Sequence, residues 1–193
     1  KNNLHARIDR KRKFPVTTLL KCLLSSLSEK YIKECEVNKI EPDPKKVLGM
    51  TSEEILSIFY ENIFYKKNNY GWSFKEDLSF FKGKILNFDL LDSKNGKTIV
   101  SKGTKVNQKI INDLKKKNIS NITINEVSLV GSFISSDIID EKTGKIFFEA
   151  GYEIDEIFIQ FLNDVKISKI DILKSDNIEI GSYIRNTLQA DKA

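Results

Sequence analysis

Apolar residues in the first seventy positions recur at helical spacing. Pro15 suits the first turn of a helix, and the leucines after it are spaced to form one apolar face, which we expect to be buried. Thr51 or Ser52 is expected to cap a second helix, because Glu53 and Glu54 would then complement its dipole. This part of the chain is therefore predicted to be mainly helical. The two predicted stripes are Leu19, Leu20, Leu23, Leu24 and Leu27, then Ile55, Leu56, Phe59 and Ile63.

The stretch from 25 to 48 is polar and contains Glu41-Pro-Asp-Pro44 near its end. Its two prolines oppose helix and favour extended or turning backbone. We interpret this stretch as a surface excursion between the two helices.

From Gly83 onward the pattern repeats at a constant offset of 48 residues. The matches include turn glycines, aspartates and β-branched residues, so chance explains this register poorly. Two copies are too few for a solenoid, which needs roughly three stacked units. We therefore predict a duplicated module. The matched pairs include Gly83 and Gly131, Asp89 and Asp137, Asp92 and Asp140, Gly96 and Gly144, Gly103 and Gly151, Leu114 and Leu162, and Ile124 and Ile172.

Each copy, 83–124 or 131–172, is predicted to contain a β-hairpin, a helix and a closing strand. The hairpin would start around Ile85 or Phe133, turn at Asn95-Gly96 or Thr143-Gly144, and return through Ile99-Val100 or Phe147-Phe148. Asn107 or Asp155 would cap a helix of about ten residues, and the closing strand would lie at 119–124 or 167–172. The predicted fold class is α+β, with a helical segment followed by two tandem small α+β modules. The division is 1–75, 76–175 and 176–193.

The two copies differ in charge and in the character of their helices. Residues 83–124 carry nine Lys against three Asp, whereas residues 131–172 carry four Lys against five Asp and four Glu. The second helix is apolar on most sides, from Ile157 to Val165. A helix of this kind must be covered on most faces, so we expect it to be sandwiched against the first copy or another part of a longer protein.

Positive charge is concentrated at the start of the chain. The net charge is +5, and residues 1–13 alone hold six Lys or Arg against Asp9. We call residues 7–13 the basic strip. A compact cationic strip on an otherwise neutral chain favours a local polyanion contact. The alternative is a solvated charge run or a tether. Its candidate DNA-binding residues are Arg7, Asp9, Arg10, Lys11, Arg12 and Lys13.

Asp9 is unexpected in a strip that attracts phosphate. A carboxylate there could orient the neighbouring arginines by ion pairing, which is the commoner role. It could instead accept a hydrogen bond from a base amino group and confer base preference. The first interpretation is favoured.

Other polar residues predict local structural roles. Trp72 could be an aromatic platform, but core or boundary packing is the favoured interpretation. The aspartates at 89, 92, 137 and 140 lie beside glycine turns, which indicates turn-forming Asp. His5 is the only histidine, and no Cys-x-x-Cys pair occurs, so no metal site is expected. The sequence contains no nucleophile elbow, phosphate loop or Cys/His dyad, and we predict no catalytic residue.

The cellular setting is predicted from cysteines and hydropathy. Cys22 and Cys35 are the only cysteines, and Cys22 lies among leucines on a predicted helix, so a reducing, cytoplasmic compartment is expected. The apolar runs are too short for a membrane span, so no membrane association is expected. The chain lacks an initiator Met, and we expect it to be an excerpt from a longer polypeptide.

The strip and the helix after it, Arg7-Ile-Asp-Arg-Lys-Arg-Lys-Phe-Pro-Val-Thr-Thr-Leu-Leu20, resemble a segment of the bacterial RNA polymerase β subunit. The resemblance continues at Glu53-Glu54-Ile-Leu56, through the repeat, and into Tyr183-Ile-Arg-Asn-Thr-Leu188. It covers nearly the whole chain in order. Lys11 stands where Arg is common, which keeps the charge and loses the bidentate fork. The stretch from 25 to 48 departs from the family pattern, and Ser182 stands where Pro is common.

The resemblance implies a lobe domain that lines the DNA cleft of the polymerase. Residues 1–75 and 176–193 would belong to the lobe, and 76–175 would be a lineage-specific insertion. Family lobes use the positions matching Asp9, Arg10, Lys11 and Arg12 near the non-template strand and downstream duplex. The implied partners are DNA, the other polymerase subunits and possible transcription factors docked on the insertion.

The resemblance also implies that the parent enzyme performs nucleotidyl transfer with magnesium held by another subunit, so no cofactor is expected in this chain. A second hypothesis is a protein-protein interaction module whose basic strip is only a tether, with no DNA role. An independent enzyme is a weaker third, since no set of nucleophile, base and orienting group can be named.

Overall fold

The computed structural model describes residues 3–7, 9–75, 81–117, 119, 121–140, 142–175 and 181–191. Within them the chain is mixed α and β. The helices are α1 (Val16–Lys21), α2 (Ser26–Asn38), α3 (Ser52–Phe59), α4 (Gln108–Lys116), α5 (Glu156–Asp164) and α6 (Tyr183–Ala190), with 3-10 turns at Pro44–Lys46 and Glu126–Leu129. The strands are β1 (His5–Arg7), β2 (Lys13–Pro15), β3 (Asn62–Asn68), β4 (Gly71–Phe74), β5 (Leu90–Asp92), β6 (Thr98–Val100), β7 (Ile122–Ile124), β8 (Ile138–Ile139), β9 (Ile146–Phe148) and β10 (Lys169–Leu173).

The chain divides into two compact units. Unit 1 comprises Lys1–Glu61, Phe133–Tyr152 and Leu173–Ala193, and unit 2 comprises Asn62–Ser132 and Glu153–Ile172. The second and third predicted segments begin at residues 76 and 176, and both positions lie outside the described residues. The division into 1–75, 76–175 and 176–193 therefore stays a prediction.

Unit 1 is built on three helices, α1, α3 and α6, that contact one another. Ile55 and Leu56 of α3 are fully buried and share a core with Ile184 and Leu188 of α6. The predicted cap of α3 is confirmed. Thr51 Oγ1 accepts from Glu54 N–H at 3.2 Å, and Glu54 Oε2 accepts from Thr51 N–H at 2.9 Å, so the two residues form a capping box.

The prediction of one helix with a buried leucine face is wrong. Helix α1 ends at Lys21, and Ser25 caps the new helix α2 by accepting from Ser28 N–H. Because the leucines are divided between two helices and the link between them, they do not share one face. Leu23 is 55% exposed and Leu27 is 74% exposed, whereas Leu20 packs against the core.

The first seventy residues are also less helical than predicted. Ile63, expected on the stripe of α3, is a buried residue of β3. In the polar stretch, the structure instead contains the 13-residue helix α2, which ends at Lys39 with a left-handed backbone at φ 54°. The excursion is thus exposed as predicted, and it is largely helical.

Unit 2 contains a six-stranded sheet in the order β10-β3-β4-β7-β5-β6. Strand β4 pairs antiparallel with β3 and β7, and β5 pairs antiparallel with β6 and β7. Trp72 on β4 is fully buried, which confirms its predicted place in the core. Residues Ile111 and Leu114 of α4 and Phe158 and Leu162 of α5 are also buried in this unit.

Several backbone hydrogen bonds occur twice, 48 residues apart. Gly83 N–H donates to the Val106 carbonyl at 2.8 Å, and Gly131 N–H donates to the Ile154 carbonyl at 2.9 Å. Both predicted turns join hairpin strands, as β5–β6 and β8–β9, and both predicted caps form. The first strand of each hairpin was predicted around Ile85 or Phe133 and lies instead at Leu90–Asp92 or Ile138–Ile139. The closing strands differ in partner, because β7 pairs with β5 whereas β10 lies beside β3.

Helix α5 is not covered on most sides. Phe158 and Leu162 are buried, but Ile157 is 69% exposed and Val165 is also exposed. The predicted sandwich is therefore not formed within the described part of the chain.

Among the described helices, none has the length and apolar character needed to cross a membrane.

Candidate nucleic-acid interface

The basic strip forms an exposed hairpin in unit 1. Strands β1 and β2 pair antiparallel, with Arg7 opposite Lys13 and Ala6 opposite Phe14. Residues 9–12 form the described part of its turn, where Arg10, Lys11 and Arg12 are all exposed. The fold thus gathers the predicted site residues at one tip and leaves their charged groups in solvent. Ile8 lies outside the described residues.

Asp9 orders the backbone of this turn. Its Oδ1 accepts from Lys11 N–H at 2.7 Å and from Arg12 N–H at 2.8 Å. These two hydrogen bonds hold the pKa of Asp9 below its ordinary value, because they stabilise the carboxylate. Asp9 therefore fixes the chain reversal that presents three cations, and it does so through backbone N–H groups and not through the ion pairs with arginine that were the favoured prediction.

The hairpin is anchored to helix α6 through Thr187. Leu4 N–H donates to Thr187 Oγ1 at 2.7 Å, and the Thr187 hydroxyl donates to the Tyr183 carbonyl at 2.7 Å. Thr187 is only 1% exposed, so the hydroxyl that joins these two hydrogen bonds is buried. Val16 N–H then donates to the Leu4 carbonyl at 3.1 Å, which ties the strand to the start of α1.

Asp191 makes a second link between the start and the end of the described chain. It accepts from Thr17 Oγ1 at 2.7 Å and from Thr18 Oγ1 at 3.2 Å. Lys21 Nζ lies 3.6 Å from Asp191 Oδ2 and supplies a countercharge. These contacts fix α1, and through it the base of the hairpin, on the C-terminal end of α6.

Arg185 faces inward, unlike the arginines of the strip. Its Nε donates to the Gly151 carbonyl at 2.6 Å, and its guanidinium lies 4.0 Å from the centroid of the Phe133 ring. Its backbone N–H donates to the Tyr60 hydroxyl at 3.3 Å, and burial raises the pKa of that phenol. Arg185 is therefore part of the scaffold beneath the hairpin. Sequence reasoning missed this role.

The aspartates beside the glycine turns have the predicted backbone role. Asp89 Oδ1 accepts from Lys102 N–H at 2.6 Å, and Asp137 Oδ1 accepts from Ala150 N–H at 2.7 Å. Asp140 likewise accepts from Lys142 N–H at 3.0 Å. Across the described ranges, no three His, Cys, Asp or Glu side chains are grouped as a metal site would require.

Comparison with known proteins confirms the resemblance along the whole chain. The chain is 42% identical over 192 residues to the DNA-directed RNA polymerase subunit beta of Bartonella quintana. The corresponding identities are 40% for the subunit of Rhizobium meliloti and 43% for that of Brucella canis. Each match covers 100% of this chain and 12% of the relative, so the chain spans about an eighth of the relatives' length. No protein-family model matches the chain.

Proposed function

We propose that this chain, which matches a segment of the bacterial RNA polymerase β subunit over its full length, is part of that subunit and acts in DNA-templated transcription. Its setting would be the bacterial cytoplasm, with the other polymerase subunits as partners. By resemblance, magnesium and the nucleotidyl-transfer groups lie in another subunit, and this chain contributes no catalytic group. Its task is to guide nucleic acid.

We further propose that the chain is a lobe segment whose basic strip lines the DNA cleft. The observation that carries this proposal is the ordered turn, in which Asp9 is bonded to the backbone of two of the three exposed cations it presents. Arginine and lysine that approach phosphates release condensed counterions, and this release drives binding. Because the backbone of the turn is already ordered, little backbone conformational entropy is lost when DNA binds, and the main entropic cost is that of the Arg and Lys side chains.

The test is the salt dependence of DNA binding by polymerase assembled with full-length β. The variant Arg10→Gln, Lys11→Gln, Arg12→Gln removes three cations from the turn. For three phosphate contacts on single-stranded DNA, the log-log slope should flatten by about 2. A matched control removes three exposed lysines of helix α2 and its cap, Lys30, Lys33 and Lys39, with the same change in net charge.

The control separates a local contact from a general effect of charge. The strip proposal requires the turn variant to flatten the slope and the α2 variant to leave it close to that of the unmodified enzyme. Equal slopes for both variants would mean that the strip is only a tether, which is the rival hypothesis.

We also propose that residues 83–172 are a duplicated insertion that offers a docking surface for transcription factors. The hydrogen bonds that recur 48 residues apart and the opposite charges of the two copies support this. Cross-linking of the assembled polymerase to its regulators should give adducts within 83–172. Adducts confined to other regions would refute the docking role.

A further inference from the structure

A second group of cations lies in unit 2, apart in sequence from the basic strip. Lys82, Lys102, Lys105 and Lys109 are all exposed, and we call them the lysine surface. They lie along or next to one short antiparallel pairing between residues 83–86 and 103–106. They are not part of the basic strip, and Lys102, Lys105 and Lys109 lie within the region 83–172 proposed above as a docking surface.

Backbone hydrogen bonds fix the spacing of these lysines. Gly83 N–H donates to the Val106 carbonyl at 2.8 Å, and Gly103 N–H donates to the Leu86 carbonyl at 2.8 Å. Ile85 is bridged to Lys105 between these bonds. Lys82 and Lys102 therefore lie next to opposite ends of the paired segment, Lys105 lies within it, and Lys109 follows in the first turn of α4.

The corresponding backbone 48 residues later shows that this fold does not need lysine at these positions. The Gly131 and Gly151 N–H groups make the equivalent bonds to the Ile154 and Ile134 carbonyls. The residues there are uncharged or acidic. They are Val130, Ala150, Glu153 and Ile157 in place of Lys82, Lys102, Lys105 and Lys109.

Lysine is also a poor choice here for stability. Four like charges around one short pairing repel one another, and the single carboxylate of Asp89, which accepts from Lys102 N–H, does not balance them. Lys109 is in the first turn of α4, where the helix dipole disfavours a cation, and that turn contains no acidic residue, whereas α5 carries Glu156 in its first turn. Neither backbone geometry nor helix stability explains these lysines, so an anionic partner is the better explanation.

We propose that the lysine surface binds the phosphate backbone of duplex DNA and forms a nucleic-acid contact separate from the basic strip. Lysine is a point charge that suits phosphate without reading bases, so the contact would be independent of sequence. Lysine is depleted at the centres of protein interfaces, which favours DNA over an acidic protein. The inference rests on the proposed function only in taking DNA to be near this chain.

The test uses polymerase assembled with full-length β on promoter DNA, with a photo-cross-linking amino acid at one position at a time. The positions are Lys105 in the lysine surface, Glu153 at the equivalent place in the second copy, and Lys11 in the strip. The expected result is a DNA adduct from Lys105 and none from Glu153. In parallel, Lys82→Gln, Lys102→Gln, Lys105→Gln, Lys109→Gln should flatten the salt slope by about 3 to 4 for duplex DNA.

Each outcome decides between the two contacts. A Lys105 adduct with protein instead of DNA, or no Lys105 adduct while Lys11 cross-links to DNA, would overturn the lysine surface and leave the strip standing. A DNA adduct from Lys105 without one from Lys11 would support the lysine surface and count against the strip. Adducts from neither position would overturn both. Equal DNA adducts from Lys105 and Glu153 would also refute the proposal, because contact would then not depend on the lysines.

Discussion

Replacing Lys67 should destabilise unit 2 through a partly buried ion pair. Lys67 Nζ lies 2.8 Å from Glu126 Oε1, and the two side chains are 31% and 29% exposed. Lys67 also donates to Asn163 Oδ1, and its ammonium lies 5.7 Å from the centroid of the Trp72 ring. The variant Lys67→Met keeps much of the aliphatic stem and removes the charge, so it leaves Glu126 partly buried without its cation.

The expected loss lies between that of an exposed pair and that of a buried pair. Exposed pairs contribute about 0.2 to 1 kcal/mol, and removing one member of a buried pair costs about 3 to 5 kcal/mol. With about a third of each side chain exposed, we expect Lys67→Met to lower the free energy of unfolding by about 2 kcal/mol. Glu126→Gln should lose less, because a neutral amide can still accept from Lys67.

Urea unfolding followed by tryptophan fluorescence measures this loss. Trp72 is the only tryptophan in the chain and is fully buried in unit 2, so its emission reports on the unit that contains the pair. The two single variants and the double variant complete a cycle, and the coupling free energy should be about 1 kcal/mol. A coupling below about 0.3 kcal/mol would show that the pair contributes nothing specific.

The same pair predicts a dependence on pH. Burial opposes ionisation of Glu126, but the hydrogen bonds from Lys67 and Asn163 and the charge of Lys67 outweigh it, so the pKa lies below the ordinary 4.5. A lowered folded-state pKa stabilises the fold above the unfolded-state value, and this stabilisation disappears as the pH falls through the folded-state pKa. The difference in stability between the unmodified chain and Glu126→Gln should therefore shrink below pH 4.5. A difference that grows on acidification would contradict the assignment.

Three further substitutions test the scaffold. Gly71→Ala should lower the free energy of unfolding by more than about 3 kcal/mol, because a Cβ would lie 2.2 Å from the Ile124 carbonyl oxygen. Gly131→Ala has open space around the added Cβ and should cost only about 1 to 2 kcal/mol, the strain of a left-handed backbone. Urea unfolding compares the two variants. Thr51→Ala should lose about 1 kcal/mol of capping energy, and hydrogen exchange in α3 measures it, with exchange in α4 as the control. Thr187→Val should lower the free energy of unfolding by about 1 to 2 kcal/mol, because Leu4 N–H loses its acceptor. Hydrogen exchange at Leu4 should become faster, and an unchanged exchange rate would refute the proposed anchor.

The sequence predicted the elements whose signals are local. The cap of α3 depends on Thr51 and Glu54, three residues apart, and the caps Asn107 and Asp155 are similarly close to the N–H groups they accept from. The turns at 95–96 and 143–144 contain glycines at φ 68°, a backbone angle that residues with a side chain rarely adopt. Signals of this kind lie within one turn of chain and can be identified without knowing the fold.

Elements that depend on tertiary contacts were missed or misplaced. Helix α2 has a polar surface with few buried residues, so its apolar pattern is weak, although Ser25 as a cap and Glu29 in the first turn were available signals. The pairing of β4 with β7 joins Trp72 to Ile124 across about fifty residues, and no local pattern encodes it. The exposure of Leu23 was not predicted for the same reason, because the surroundings of Leu23 depend on where α2 begins.

The strip illustrates how charge and anchoring can be separated. Its charged residues are consecutive or nearly so, which is why sequence alone located them, but the contacts that hold the hairpin join positions more than 170 residues apart. Those contacts use the Leu4 backbone, threonine hydroxyls and Asp191, not the exposed side chains of Arg10, Lys11 and Arg12. Neutralising the turn should therefore change electrostatic binding with little effect on stability, whereas Thr187→Val should loosen the hairpin and leave its charge unchanged. If both changes weakened DNA binding, only the first should also change its salt dependence, because only the first alters the number of counterions released.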